Sequence, residues 1–450
     1  MIRGVDLRGA ISINMITMIG IGPLITLALV LSYLHGPLAL LGWIAGAIVA
    51  MCDGLVWAEL ASRYPGSGGT YVYLREIFGR DGPGRWLAFL FNWQFVFFAF
   101  LIIASGYIGF AQYSTYLFPW VGSAQWHEWA VAIAVGIITI ILVYRRITVA
   151  EKLSFVFFIA AVGTLVLIIA AGLPHADFKM AFHVDGPVAF GWGFFGGLAQ
   201  AMIITLYDYA GYNQSALMGD EVIAPTRTIP QSIIISIVLL AILYIALQIA
   251  VSGVIPLHEM VGPNPGDVTD GSQYAAATVV GRTWGTGAAR AITVMILITA
   301  FASAYGSLLG FARIPYAAAA TGEFLAPFAK LHPTGKFPYI SVLVIGLLTL
   351  PACLLHLDDV IKYLTTGIVL IQGIAQIVAL FVLRARREAT PFRMWLYPVP
   401  PLVALAGWVF IFWNSGALAI AFGIGTLCLG TAVYMVVALR QHAWPFRSPS

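Results

Sequence analysis

Apolar residues run along this chain in about twelve stretches, each long enough to cross a bilayer, with polar connections between them. The stretches fall near 10–34, 37–60, 86–115, 128–147, 153–173, 192–217, 231–255, 288–312, 339–356, 361–383, 396–413 and 417–439. Each predicts a transmembrane helix, because hydrocarbon leaves backbone N–H and C=O groups no partner except one another. The longest connections are 61–85, 174–191, 218–230, 256–287 and 313–338.

Two stretches breach their own pattern. The first contains Met18-Ile19-Gly20-Ile21-Gly22-Pro23-Leu24, where each helical Gly costs roughly 1 kcal/mol and a Pro about 3 kcal/mol. The sixth contains Leu206-Tyr207-Asp208-Tyr209-Ala210-Gly211-Tyr212-Asn213-Gln214, which sets an acid, a glycine and an amide among apolar residues. Taken singly, the first also fits close packing of small residues between helices. Taken together, five stretches apart, they fit two five-helix halves of inverted topology. Residues 1–173 form one half, 174–384 the other, and 385–450 two further helices with a tail. Paired interruptions are a sequence mark of a transport site near the bilayer midplane. The expectation is an all-α polytopic membrane protein with helices 1 and 6 broken.

Composition narrows the class. Hydrophobic residues make up 60% of the chain and charged residues 9%, where a soluble domain carries about 25% charged residues. Mean hydropathy is +0.92. The net charge of +4 is spread over many loops, which argues against nucleic acid. Placing the N-terminus in the cytoplasm leaves only Lys179, Arg282, Arg290 and Lys362, of 23 Lys and Arg, on the far side. Both termini are therefore expected to be cytoplasmic, in a cytoplasmic (inner) membrane. Cys52, Cys353 and Cys428 lie in separate apolar stretches, as buried small hydrophobes do. Arg3 and Arg8 precede a run too long for a signal core, so no cleavable signal peptide is expected.

The loops carry a family pattern. Trp57-Ala58-Glu59-Leu60 through Arg63-Tyr64-Pro65 to Gly66-Ser67-Gly68-Gly69-Thr70-Tyr71-Val72-Tyr73-Leu74 resembles the "AEL…P.SGG.Y.YL" signature of the amino acid–polyamine–organocation transporters. Glu221 with Pro225 to Gln231 resembles their loop after the sixth helix, and Arg313 to Gly322 their loop after the eighth. Pro338-Tyr339-Ile340-Ser341 is similar to the start of their ninth helix. The four matches occur in the family's order and span nearly the whole chain. Gly22-Pro23 and Tyr144 to Val149 are similar to the polyamine-uptake branch. Tyr209 to Asn213 is similar to the "YDGWN" of amino acid exchangers. The family is marked, and the branch stays open.

The resemblance implies a leucine-transporter fold with a central site lined by the two breaks. Ile19, Gly20, Ile21, Gly22 and Pro23 come from the first; Tyr207, Asp208, Tyr209 and Gly211 come from the second. Tyr107 and Tyr305 are candidate aromatic covers. Free amides at a half-helix start favour a carboxylate, and exposed carbonyls favour an ammonium. Pro23 cannot donate, which removes one amide from such a grip. An acid within a span marks function by default. Asp208 is expected to bind a substrate amine or carry a proton; the structural alternative is a cap on the second half-helix. Asp53 is a proton carrier or half of a buried pair. Glu59 belongs to a gate or to loop structure. Gln94, Gln372 and Gln376 read as interhelical hydrogen bonds.

Few groups in the chain are suited to coupling. The resemblance implies that sodium-coupled relatives use adjacent hydroxyls in the eighth span, which Ser303 and Ser307, separated by one helical turn, match only weakly. Relatives that place a lysine within the fifth span imply a device this chain lacks, since Lys152 stands at the span's start and Phe157 to Ile169 are apolar. No histidine lies mid-span. Proton coupling would rest on Asp208 or Asp53, and exchange stays open. Short helices are expected at 70–79 and around Tyr274 to Ala277, in gating or packing roles. The leading expectation is a secondary active transporter of amino acids or related organic amines working by alternating access, with polyamine uptake as the alternative. A transporter-like channel or sensor is the reading from another class, but no continuous polar row or appended signalling domain supports it. No metal cluster, Ser/His/Asp set or phosphate loop suggests an enzyme, and no cofactor is implied. The expected partners are a small-molecule substrate, protons and the lipid bilayer.

Overall fold

The computed structural model describes residues 4–66, 68–145, 150–184, 190–335 and 337–446. Arg3, Ser67, the 146–149 segment, Lys336 and Arg447 lie outside the described residues, as do the side chains of 145–157, Lys152 among them. In chain order the first helices are α1 (Leu7–Met18), α2 (Gly22–Ile25), α3 (Leu27–Tyr33), α4 (Ala39–Arg63), α5 (Thr70–Phe78), α6 (Pro83–Ser114), α7 (Gln125–Arg145), α8 (Ala150–Gly172) and α9 (Phe178–Ala181). There follow α10 (Trp192–Tyr209), α11 (Gln214–Leu217), α12 (Pro225–Val254), α13 (Ala275–Trp284), α14 (Thr286–Phe311) and α15 (Arg313–Ala320). The last are α16 (Tyr339–Ala352), α17 (Leu357–Ile368), α18 (Gln376–Ala385), α19 (Val399–Asn414) and α20 (Ala417–Gln441). A π-helical segment, Val369–Ala375, joins α17 to α18.

Among the described residues eight helical stretches are long and apolar enough to cross a membrane, with α16 and α19 shorter and apolar. The protein is an all-helical, multi-pass membrane protein. Helix α6 is apolar around its whole circumference and largely buried, as a helix inside a bundle must be. Helix α12 begins six residues before the hydrophobic stretch suggested. Pro225 sits in its first turn, where a missing N–H removes no helical bond.

The packing that frames the centre is aromatic. Trp43 of α4, Tyr209 of α10 and Tyr244 of α12 meet with ring centroids 5.3–6.2 Å apart. Trp43 also donates its indole N–H to Gln248 Oε1 at 2.9 Å. The N-terminal segment is pinned to the connection after α11: the Gly4 and Val5 amides both donate to Glu221 O at 3.0 Å, and Ile223 N–H returns to Val5 O at 2.8 Å. Both short helices expected in the loops are present, as α5 and α13. Glu59 is fully buried and accepts from Arg384 Nη2 (2.7 Å) and the Met394 amide (2.9 Å). Its carboxylate fastens the end of α4 to α18 and the connection that follows.

Candidate functional site

The first break is narrower than the sequence suggested. Helix α1 ends at Met18, Ile19 to Ile21 are unwound, and Gly22 and Pro23 already open α2. Pro23 is therefore not the breaker. It occupies a first-turn position, where amides lack an intrahelical acceptor in any case. Ile19 N–H still reaches Met15 O at 2.7 Å, and Leu24 N–H reaches Ile21 O at 3.0 Å. One turn later, Thr26 bends the chain between α2 and α3. Its hydroxyl lies 3.0 Å from Gly22 O and 2.7 Å from Asp208 Oδ2. A hydroxyl has one proton, so these two acceptors share it unless the carboxyl brings a proton of its own.

The second break also lies later than expected. Tyr207, Asp208 and Tyr209 are helical within α10, and Ala210 to Asn213 carry the interruption before α11. Gly211 has φ +118°, and a Cβ there would stand 2.8 Å from Thr17 Cγ2. Both the torsion and the approach of α1 require glycine. The start of α11 is already occupied: Ser215 N–H donates to Asn14 Oδ1 at 2.7 Å, from α1. The structural role open to Asp208, capping this half-helix, thus falls to Asn14. Asp208 turns instead toward the first break, where its Oδ1 lies 2.5 Å from the point a Gly22 Cβ would occupy. Tyr244 joins the two breaks, its hydroxyl 3.0 Å from Met18 O and 3.3 Å from Asp208 O.

Between the breaks is a cavity. Gly20, Ile21, Gly22, Pro23, Tyr207, Asp208, Ser303 and Ser307 line it, as do Thr17, Ser105, Ile102, Ala300 and Ala304. Asp208 is the one charged residue among its described lining. Ser105 Oγ and the Tyr207 hydroxyl lie 2.8 Å apart on one wall. Ile19, Tyr107, Tyr209 and Tyr305 do not line the cavity. The Tyr107 ring lies against Gly136 of α7, and Tyr209 belongs to the aromatic frame.

A second space adjoins the first and shares Thr17, Ile102, Tyr207 and Ala210 with it. Gly211, Tyr212, Phe311, Thr365, Gln372 and Trp408 are among its walls. This vestibule extends to Gln214 and Leu217 of α11. Asp53 lines neither space; its Oδ2 accepts the Tyr212 hydroxyl at 2.6 Å and its Oδ1 the Trp408 indole N–H at 3.0 Å. Gln376 accepts a hydrogen bond from Thr70, an interhelical role as expected.

Sequence reasoning passed over Asn14, Thr26, Ser105 and Tyr244. Each is a single polar group in an apolar stretch, and such groups usually bond their own helix. Only the crossing of helices shows that these reach across.

The sequence profile of the amino acid permease family matches residues 8–439. An uncharacterized transporter of Mycobacterium tuberculosis is 30% identical over 442 residues, covering 96% of this chain and 91% of its own. The serine/threonine exchanger SteT of Bacillus subtilis is 26% identical, covering 91% and 90%. The branched-chain amino acid permease BcaP of the same organism is 23% identical, covering 95% and 92%.

Proposed function

The chain belongs to the amino acid permease family, membrane transporters rather than enzymes, and from that premise we propose that it moves an amino acid with an uncharged side chain across the cytoplasmic membrane by alternating access. In this reading the chain spans the membrane twelve times, with both termini cytoplasmic. Residues 1–173 and 174–384 are inverted halves, and 385–450 add the last two spans. The vestibule is then the cytoplasmic half of the route.

The single observation that carries the reading is Asp208, at the end of α10, facing Gly20, Ile21 and Gly22 of the first break across one cavity. A carboxylate facing backbone amides offers opposite poles to a substrate that bears an ammonium and a carboxylate. Ile21, Ile102, Ala300 and Ala304 leave an uncharged space for the side chain. A polyamine needs at least two separated acids, and the described lining holds one.

Asp208 also serves as the coupling group. When protonated it donates to Thr26, and Thr26 donates on to Gly22 O, so each proton in the chain has one acceptor. Gaining or losing that proton then changes the hold between the two breaks. A sodium-coupled reading draws on one observation, that Ser303 and Ser307 both face the cavity.

Uptake into proteoliposomes tests the proposal, with L-serine, L-threonine, L-leucine, L-valine, L-glutamate, L-arginine and putrescine as the panel. Neutral amino acids are expected to accumulate, driven by an imposed pH gradient and not by sodium, and Asp208→Asn is expected to abolish the pH drive. Accumulation of putrescine alone would favour the polyamine branch. Transport of nothing in the panel would sink the proposal.

A further inference from the structure

We propose that Asp53 is a positioning residue, whose carboxylate ties the second break to α19 and so sets the shape of the inner vestibule. The inference rests on the transporter reading above for its consequence, though not for its geometry.

Asp53 is fully buried on α4, in the membrane interior, and touches neither cavity. A carboxylate in that position is costly. The Tyr212 hydroxyl and the Trp408 indole donate to it, with the Trp57 indole of its own helix as a further donor, and all three are neutral, so none cancels its charge. A charge held this way is better explained by what its partners do than by stability.

Tyr212 and Trp408 both line the vestibule. Tyr212 lies in the unwound linker between α10 and α11. Trp408 lies across the π-helical segment, its ring atoms 3.0–3.2 Å from where a Cβ on Gly373 would stand. Widened turns of this kind break the regular hydrogen-bond ladder and recur at functional sites. One carboxylate on the regular helix α4 therefore holds two aromatic side chains, Tyr212 in the unwound linker and Trp408 on α19, whose ring packs across the π-helical segment. The Trp408 end is backed by close packing, since Val49 Cγ2 lies 2.6 Å from the position of a Cβ on Gly407. The Tyr212 end has the shorter bond and sits on unwound backbone. The arrangement is suited to a latch on the linker rather than to proton carriage, because neither cavity reaches the carboxylate.

Amide hydrogen exchange on the purified full-length protein tests the geometry without any substrate. Asp53→Leu removes both acceptors and is expected to speed exchange in 210–217 and in 369–375 by at least about tenfold, the factor for one charge-assisted hydrogen bond. Tyr212→Phe should affect 210–217 alone, and Trp408→Phe should affect 369–375 alone; these conservative variants carry the test if Asp53→Leu does not fold. Unchanged exchange in both segments, or a uniform rise over all spans, would overturn the proposal. Efflux from preloaded proteoliposomes tests the consequence, using L-serine or L-leucine, whichever the wild type accumulates. Asp53→Asn is expected to slow efflux about tenfold while the KM for uptake from outside stays fixed. Equal change in both directions would overturn the vestibule role. Failure of the wild type to move either amino acid counts against the transporter reading and leaves the exchange result standing.

Discussion

The two breaks resemble each other in sequence and differ in what the fold does with them. At the first, Ile19 to Ile21 unwind and the new half-helix begins with Gly22 and Pro23 on the wall of the cavity. At the second, the new half-helix begins against Asn14, whose side chain takes the Ser215 amide. The helix end before the second break therefore gives the cavity a side chain, Asp208, whereas the first break gives it backbone. Two interruptions of one helix type can thus present opposite chemistry. The deciding factor is whether a neighbouring residue already satisfies the freed backbone groups.

This contrast is easiest to break at Gly22. In Gly22→Ala the added Cβ meets Asp208 Oδ1 at 2.5 Å and Tyr207 Cε1 at 2.8 Å. Overpacking of this kind costs about 1–3 kcal/mol and falls here on the cavity itself. Uptake should drop to background, while size-exclusion chromatography still shows folded protein. Tyr244→Phe tests what the two breaks have in common. It removes one hydroxyl and leaves the Met18 and Asp208 carbonyls, both buried, without it, a loss of about 1–3 kcal/mol. The expected result is a lower melting temperature and a maximal rate reduced about tenfold, with KM changed less.

Asn14→Ala sharpens the contrast with the smallest effect. Loss of a helix cap typically costs about 1 kcal/mol, so thermal stability should fall modestly and substrate KM should stay near the wild-type value. If Asn14→Ala weakened substrate affinity more than Gly22→Ala, the roles assigned to the two breaks would be reversed.

Much of the architecture was legible from periodicity alone. Apolar runs are local properties, and a membrane forces them to be read one way. The existence of both breaks was legible too, because glycine, proline and a lone acid violate helix and membrane preferences at once. Their limits were not. Pro23 looked like the breaker and proved to open a half-helix, since a proline is costly mid-helix and costs no hydrogen bond in a first turn. Asp208 looked like part of a gap and remained helical, because its neighbours in α10 keep the ladder intact through Tyr209.

Thr26, Asn14 and Tyr244 carried no signal strong enough to find them. A hydroxyl or amide in an apolar run reads the same whether it bonds its own helix or a partner 200 residues away. Likewise Tyr107 and Tyr305 were named for their type, and neither lines the cavity between the breaks.

By itself the sequence determined that this is an all-helical membrane protein, that two of its helices are interrupted, and that Asp208 and Asp53 are buried at a cost. Only the tertiary structure decided which freed backbone groups stay open to a cavity and which are filled by Asn14. It alone decided that Asp208 faces the cavity and that Asp53 holds Tyr212 and Trp408. The reason is physical: composition and period report what each residue costs in hydrocarbon, whereas the partner that offsets the cost comes from a different helix.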